Sequence, residues 1–305
     1  MCVFFGPGGL TSAKATGAVP PLVVENTRIF ARRAGEREQI LAYQMALRAG
    51  DEVVMVLPLP VGSRDERLAV QFLNLEKCDE LFIHLNYMLP VWVPPYTPPD
   101  DDAIEKFSMH ELGARTPLAV QKVGSFEASF VPSIADFDRL DPRFRVAPEL
   151  WAELGDYSDW GFAVFQLHDI AREKMTPVHP MAFRFITRYP ESLFFPTVHI
   201  HDGSVHPAAD FDHLLYFQSD SSARWEERWF VDGVEVADRG VSPASRTGRI
   251  RWSASERIGQ DLLDRAGDPD AARIVIDPEL PLQAFGMKGL LPNRDTWLHE
   301  EAAWR

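Results

Sequence analysis

Short apolar runs rich in β-branched and aromatic residues, each cut off by glycine, aspartate or proline, constrain this chain more than any other feature. Thr27 to Arg33 and Gln39 to Leu47 flank the turn-like Ala34-Gly35-Glu36, and Glu52 to Leu59 (EVVMVLPL) follows Gly50-Asp51. Runs this short between turn formers suit a strand meander and leave little room for helices. Further strands are expected over Trp160 to His168, Met181 to Thr187, Leu193 to His201 and Phe211 to Phe217, with a hairpin around Asp232-Gly233 between Trp229 and Val236. Leu118 to Val131 reads as one long strand bent near Gly124, and Arg67 to Leu75 fits no single pattern. Helical signals are few. Glu76 to Asn86 carries a moderate one, Ile134 to Leu154 carries helix or turn signals, and Ser253 to Ala266 carries the clearest. There Ser253 or Ser255 can cap, Ile258, Leu262 and Leu263 form an apolar stripe, and Gly267 can stop the helix. The expected fold class is α+β, antiparallel-sheet-rich, with a few peripheral helices on one side of the sheet.

Pro90-Val91-Trp92-Val93-Pro94-Pro95-Tyr96-Thr97-Pro98-Pro99 interrupts this pattern. Five prolines in ten residues remove amide donors and impose an extended path, and Asp100, Asp101 and Asp102 continue it as a solvated stretch. The chain divides here into a β-rich N-terminal lobe over residues 1–98, a Pro/Asp-rich connector over 99–117 and a β-rich C-terminal lobe over 118–305. The Pro90 to Pro99 stretch is either a recognition segment for a protein partner or an exposed connector.

Of 305 residues, 31 are basic and 45 acidic, for a formal net charge of −14. That balance argues against a nucleic-acid partner, which needs cations to neutralise phosphate, and against an anionic membrane surface. Arg246, Arg249 and Arg251 make only a short basic run, which reads as a solvated strand face. The two cysteines, Cys2 and Cys78, form no CxxC pair, so neither a thiolate zinc finger nor a disulfide scaffold is expected. No export signal or membrane-spanning run is read, and the expected compartment is the cytoplasm.

The densest chemical cluster runs from His199 to His213 and holds four of the nine histidines. In His199-Ile200-His201, residues two apart on a strand share a face, which sets two imidazoles within reach of one metal ion. Were Phe211 to Phe217 to return antiparallel, His213 would join them from the facing strand. Three imidazoles with a position left for water is the geometry of a catalytic zinc or iron site. Asp202, Asp210 or Asp212 would add a fourth ligand or orient a ring. Core histidines bonded to backbone carbonyls fit the same pattern, and His206, beside Pro207, is the one left out.

Cys2 becomes N-terminal if Met1 is removed, and a thiol beside a free α-amine can serve as a nucleophile, although Gly6-Pro7-Gly8-Gly9 does not match the amidotransferases that begin this way. No GxSxG, phosphate-binding loop or dinucleotide fingerprint occurs, so no nucleotide cofactor is indicated. Trp225, Trp229, Trp252, Trp297 and Trp304 crowd the last third and suit a stacking surface or lobe packing.

The order Thr27-Arg28-Ile29-Phe30-Ala31-Arg32, Gln39-Ile40-Leu41-Ala42-Tyr43 and Val53-Val54-Met55-Val56-Leu57-Pro58-Leu59-Pro60 resembles an uncharacterised bacterial domain-of-unknown-function family. Its members place a strand pair before an apolar strand ending in a Val-Pro-x-Pro-like turn. Leu193-Phe194-Phe195-Pro196 and Asp210 to Tyr216 match its later strand pair. The resemblance implies a single β-rich unit and no functional residues; the export signal and further cysteines usual in that family are not found here.

Three functional expectations follow. The first is a protein binding zinc or iron through His199, His201 and His213, with Asp210 or Asp212 assisting in hydrolase- or oxygenase-type chemistry. The second is a non-catalytic interaction or scaffold protein that uses the proline-rich stretch and the tryptophan-bearing C-terminal third. The third is an N-terminal nucleophile hydrolase built on Cys2.

Overall fold

A computed structural model describes residues 2–5, 22–49, 53–88, 118–141, 157–168, 170–171, 174–200, 205–219, 229–231, 234–236, 247–257 and 260–299. The strands of the first half are β1 (Cys2–Phe5), β2 (Val23–Arg33), β3 (Glu38–Arg48), β4 (Val53–Leu59), β5 (Val70–Asn74), β6 (Val120–Val123) and β7 (Phe126–Val131). Then come β8 (Gly161–Leu167), β9 (Thr176–Pro177), β10 (Met181–Ile186), β11 (Ser192–Phe195), β12 (His199–Ile200) and β13 (Ala208–Gln218). The last are β14 (Trp229–Val231), β15 (Val234–Val236), β16 (Thr247–Arg257), β17 (Pro281–Pro292) and β18 (Thr296–His299). Helices are short: α1 (Leu81–Met88), a 3₁₀ turn at Ile134–Arg139, α2 (Gln260–Arg265) and α3 (Pro269–Val275). Among the described residues no helix is long and apolar enough to cross a membrane.

Two large sheets organise the chain. One has six strands in the order β12-β1-β4-β8-β7-β6; the other has ten, running β15-β14-β16-β17-β13-β2-β3-β10-β5, with β9 also paired to β3. All pairs in them are antiparallel except β1 with β12 and β2 with β13. Each large sheet takes strands from both flanks of the connector 99–117, and two separate lobes are not seen. The expected early meander is also corrected: β2 and β3 pair as a hairpin, but β4 leaves them for the six-stranded sheet.

The sheets pack face to face around a core that includes Tyr43, Met55, Phe126, Phe165, Phe183 and Phe217. Phe72 meets Phe165 edge to face at 5.5 Å, a geometry that ring quadrupoles favour. Each such fully buried ring contributes about 1.5–3 kcal/mol of transfer free energy. The helices cover the other face of the ten-stranded sheet, where Phe30, Ile40, Tyr216, Phe82, Leu85, Leu263 and Val275 are buried together. Val54, Val56, Phe137, Phe162 and Val164 cluster on the outer face of the six-stranded sheet. Strand β4 is buried at every position, which is why its sequence is a continuous apolar run without alternation.

Two other readings are overturned. Leu118 to Val131 is not one bent strand but the hairpin β6–β7, turning at Gly124-Ser125, where Gly124 takes φ +63°. Ser253 to Ala266 is not a single helix. Its first part, with both proposed serine caps, continues β16 against β17, and among the described residues of the span only Gln260–Arg265 is helical. Pairing with the long strand β17 outweighs the local helical spacing there. Gly267 does end the helical stretch, with φ +96°.

Candidate functional site

The described part of strand β12 is two residues long, and side chains fix it from outside. Asn293 accepts the His199 N–H at 2.8 Å and donates to the His199 carbonyl at 2.9 Å, so its amide acts as one more strand partner. The Val198 N–H donates to Asp295 Oδ1 at 3.2 Å, and Thr197 Oγ1 donates to the Arg294 carbonyl at 2.9 Å. Strand β13, by contrast, has a partner along both edges, β2 and β17. Its alternation sends Phe211, His213, Leu215 and Phe217 to the interior.

His199 and His213 meet there. Their Nε2 atoms are 2.7 Å apart, and their ring centroids 4.5 Å. Phe211 closes the group, 4.6 Å from the His199 ring and 5.1 Å from the His213 ring. The other ring nitrogen of His213, Nδ1, lies 3.5 Å from Asp212 Oδ1, close enough for electrostatic attraction but long for a hydrogen bond. Asp212 is held in turn, its Oδ2 accepting the Asn26 N–H at 2.6 Å. Asn26 has φ +56° in an irregularity of β2 between Glu25 and Arg28, where the register against β3 shifts. Asp212 thus joins a bulge in one strand to a buried imidazole in the next.

Burial pushes the His213 ring below its ordinary pKa, more than the neighbouring Asp212 raises it, so the imidazole is neutral. Burial pushes the Asp212 carboxyl up, but the His213 ring and the Asn26 and Thr27 backbone N–H groups outweigh it and hold the group below the usual carboxylate range. A carboxylate beside Nδ1 favours the proton on that nitrogen. His213 Nε2 is then the acceptor and His199 Nε2 the donor.

Two of the three histidines chosen from sequence, His199 and His213, therefore meet, but not as expected. β12 pairs with β1 in parallel and β13 pairs with β2 and β17, so His199 and His213 approach from different sheets and not across one hairpin. Two nitrogen donors on tetrahedral zinc stand about 3.3 Å apart, so a shared ion requires the rings to part by roughly half an ångström. Among the described residues no group of three histidine, cysteine or acidic side chains is placed to hold a metal ion. His201 and Asp202 lie outside the described residues. Asp210 is exposed at the start of β13, opposite Leu290, and the exposed His206 offers its carbonyl to Asn293. The register sets Cys2 opposite His199.

Other parts of the arrangement escaped the sequence reading. Asn293 and Asp295 lie in a Pro-Asn-Arg-Asp stretch that signals only a turn. Trp297 is partly buried against Phe194 at 4.7 Å and Trp160 at 6.2 Å, with the exposed Tyr189 edge-on to it at 5.2 Å. It belongs to a packed aromatic cluster. The side chains of Trp225, Trp229, Trp252 and Trp304 are not among those described, and neither is the stretch Pro90 to Pro99.

No protein-family model matches the chain, and no curated protein matches it either. Among solved structures it is similar to baculovirus P35, at 10% identity and a TM-score of 0.41 over 98% of this chain and 99% of that one. A mutated baculovirus P35 after caspase cleavage matches at 9% identity and a TM-score of 0.40, over 90% of this chain and 100% of that one. P35 in the caspase-8/P35 complex matches at 10% identity and a TM-score of 0.38, over 91% of this chain and 97% of that one.

Proposed function

We propose that the chain is a non-catalytic interaction protein that engages a protein partner through the proline- and aspartate-rich segment 89–117. The observation that carries this reading is what stands at the two roots of the segment. It leaves at the end of α1, where Tyr87 is 78% exposed, and returns just before β6, where Val120 is 39% exposed. Exposed large apolar side chains beside a long connection are features of a docking surface. The proline content restricts the unbound chain and lowers the entropy lost on binding, while Asp100 to Asp102 add local negative charge.

The test replaces residues 90–102 with a glycine-serine linker of equal length. The expected outcome is an unchanged melting temperature together with loss of the partners that the unaltered chain captures from its host. An identical set of captured partners would overturn the reading. Caspase-8, seen with P35 in one of the similar solved structures, is a reasonable first protein to try.

A second reading keeps the histidines, because two ε nitrogens converge on one point. Zinc or iron between them would need a further donor, and Cys2 is the first to test by its register opposite His199. Stoichiometric metal that disappears on His199→Ala and His213→Ala would support this reading, and metal-free wild-type protein would end it.

A further inference from the structure

One titratable side chain serves neither reading. His179 sits between β9 and β10, and its backbone neighbours are anchored to β3: the Val178 N–H donates to the Met45 carbonyl at 3.1 Å, and Gln44 Nε2 donates to the Val178 carbonyl at 3.1 Å. Its ring reaches across to the β6–β7 hairpin. It stacks on Phe126 with centroids 3.9 Å apart, and its Nε2 accepts the Ser125 N–H at 3.2 Å. The other nitrogen, Nδ1, lies 3.2 Å from the Pro180 carbonyl and must carry the proton. A Cβ at Gly124 would stand 2.7 Å from His179 Nε2 and 2.9 Å from the Glu76 Cβ, so the hairpin tip is seated closely against both.

We propose that His179 is an acid-sensitive latch: it docks the β6–β7 hairpin while its ring is neutral and releases the tip when the ring is protonated. Protonation turns Nε2 from an acceptor into a donor, so two N–H groups face each other where a hydrogen bond was. The charged groups around the ring are Glu76 and Asp79, from the link between β5 and α1. Lys122 and Glu127 stand opposite each other further along the hairpin. The cation would turn toward Glu76 and Asp79 and leave Ser125. Burial holds the ring below its ordinary pKa despite those two carboxylates and the Pro180 carbonyl, so the latch is closed at neutral pH. β7 remains paired with β8, which confines the release to the tip and to β6. Because segment 89–117 re-enters at β6, acid would also loosen one root of the proposed partner-binding segment. That consequence rests on the interaction reading, whereas the latch itself does not.

Amide hydrogen exchange of the full chain at pH 7.5 and pH 5.0, corrected for intrinsic rates, tests the latch. Protection over residues 118–131 should fall in acid, by up to about a factor of ten for each pH unit below the released ring's ordinary pKa of about 6.5. Protection over β4 and β8 should fall only as far as global stability does. His179→Gln retains an acceptor that does not titrate, so its hairpin should exchange alike at both values. His179→Phe keeps the stacked ring without the acceptor and should exchange fast at both. Hairpin protection in the wild type that is equal at the two pH values would overturn the proposal, as would an undiminished acid loss in His179→Gln. Partner capture is measured separately on the same samples, so failure of the interaction reading leaves the exchange result intact.

Discussion

The Nε2 atoms of His199 and His213 meet at 2.7 Å although His199 lies in the six-stranded sheet and His213 in the ten-stranded one. Their contact ties the sheets together across a largely apolar interior. Removing the His213 ring takes away a hydrogen-bond partner of the partly buried His199 Nε2. His213→Leu is therefore expected to cost about 1–3 kcal/mol. The pair of changes His199→Phe and His213→Leu should cost less than the sum of the two alone. A double-mutant cycle by urea unfolding measures the difference, and strictly additive costs would mean that the contact contributes nothing.

Acidity acts through the same residue. His213 is neutral in the fold and its pKa is depressed there, while the unfolded chain takes up a proton near pH 6.5. Between those two pKa values the unfolded state binds more protons, so stability falls as pH drops below about 6.5, by up to about 1.4 kcal/mol per pH unit for this one group. The depressed carboxyl of Asp212 works in a lower window. Its contribution is complete above about pH 4 and is lost as pH falls through its folded pKa. Urea midpoints from pH 8 to pH 5, compared with those of His213→Leu, should show the wild type losing stability over that range and the variant losing less.

At Gly267, φ is +96° and a Cβ would lie 1.9 Å from the Lys77 carbonyl oxygen. Backbone strain and a clash with main chain both oppose any side chain there. Gly267→Ala should cost about 2–4 kcal/mol. Thermal unfolding checks it: a melting temperature within a degree of wild type would show that the α2–α3 link can shift away from Lys77.

Buried Gln39 imitates a strand. Its Nε2 donates to the Phe194 carbonyl at 2.7 Å, and its Oε1 accepts the Phe194 N–H at 3.0 Å, which ties β3 to β11. Gln39→Leu fills a similar volume but leaves both backbone groups unpaired. An expected loss of about 1–3 kcal/mol, read by chemical denaturation, should come with faster amide exchange at Phe194.

What the sequence disclosed depended on how far apart in the chain the deciding partners lie. Met181 to Thr187 and Trp160 to His168 were legible because each is an apolar run bounded by turn formers, and β10 and β8 occupy nearly those spans. Ser253 was misread because the partner that makes it strand, Gln283 of β17, lies well beyond any local window. His199 and His213 were legible as residue types in one neighbourhood, but not their route to contact, which depends on Cys2 pairing with His199 and on Leu214 pairing with Arg28. His179 carried no sequence signal at all, since what defines it is a hairpin tip brought from Gly124 and Ser125.

The seat of β1 sets the order in which the molecule can be assembled. Residues 2–5 leave the ribosome well before their edge partner at His199 and Ile200, and β2 likewise precedes the stretch of β13 at Leu214 to Gln218. Until those late strands emerge, the early apolar strands present open edges that any other strand can occupy. A topology dominated by such distant pairings folds slowly. The yield of native protein should therefore follow the pace of synthesis and the supply of chaperones more closely than it follows the stability of the finished fold.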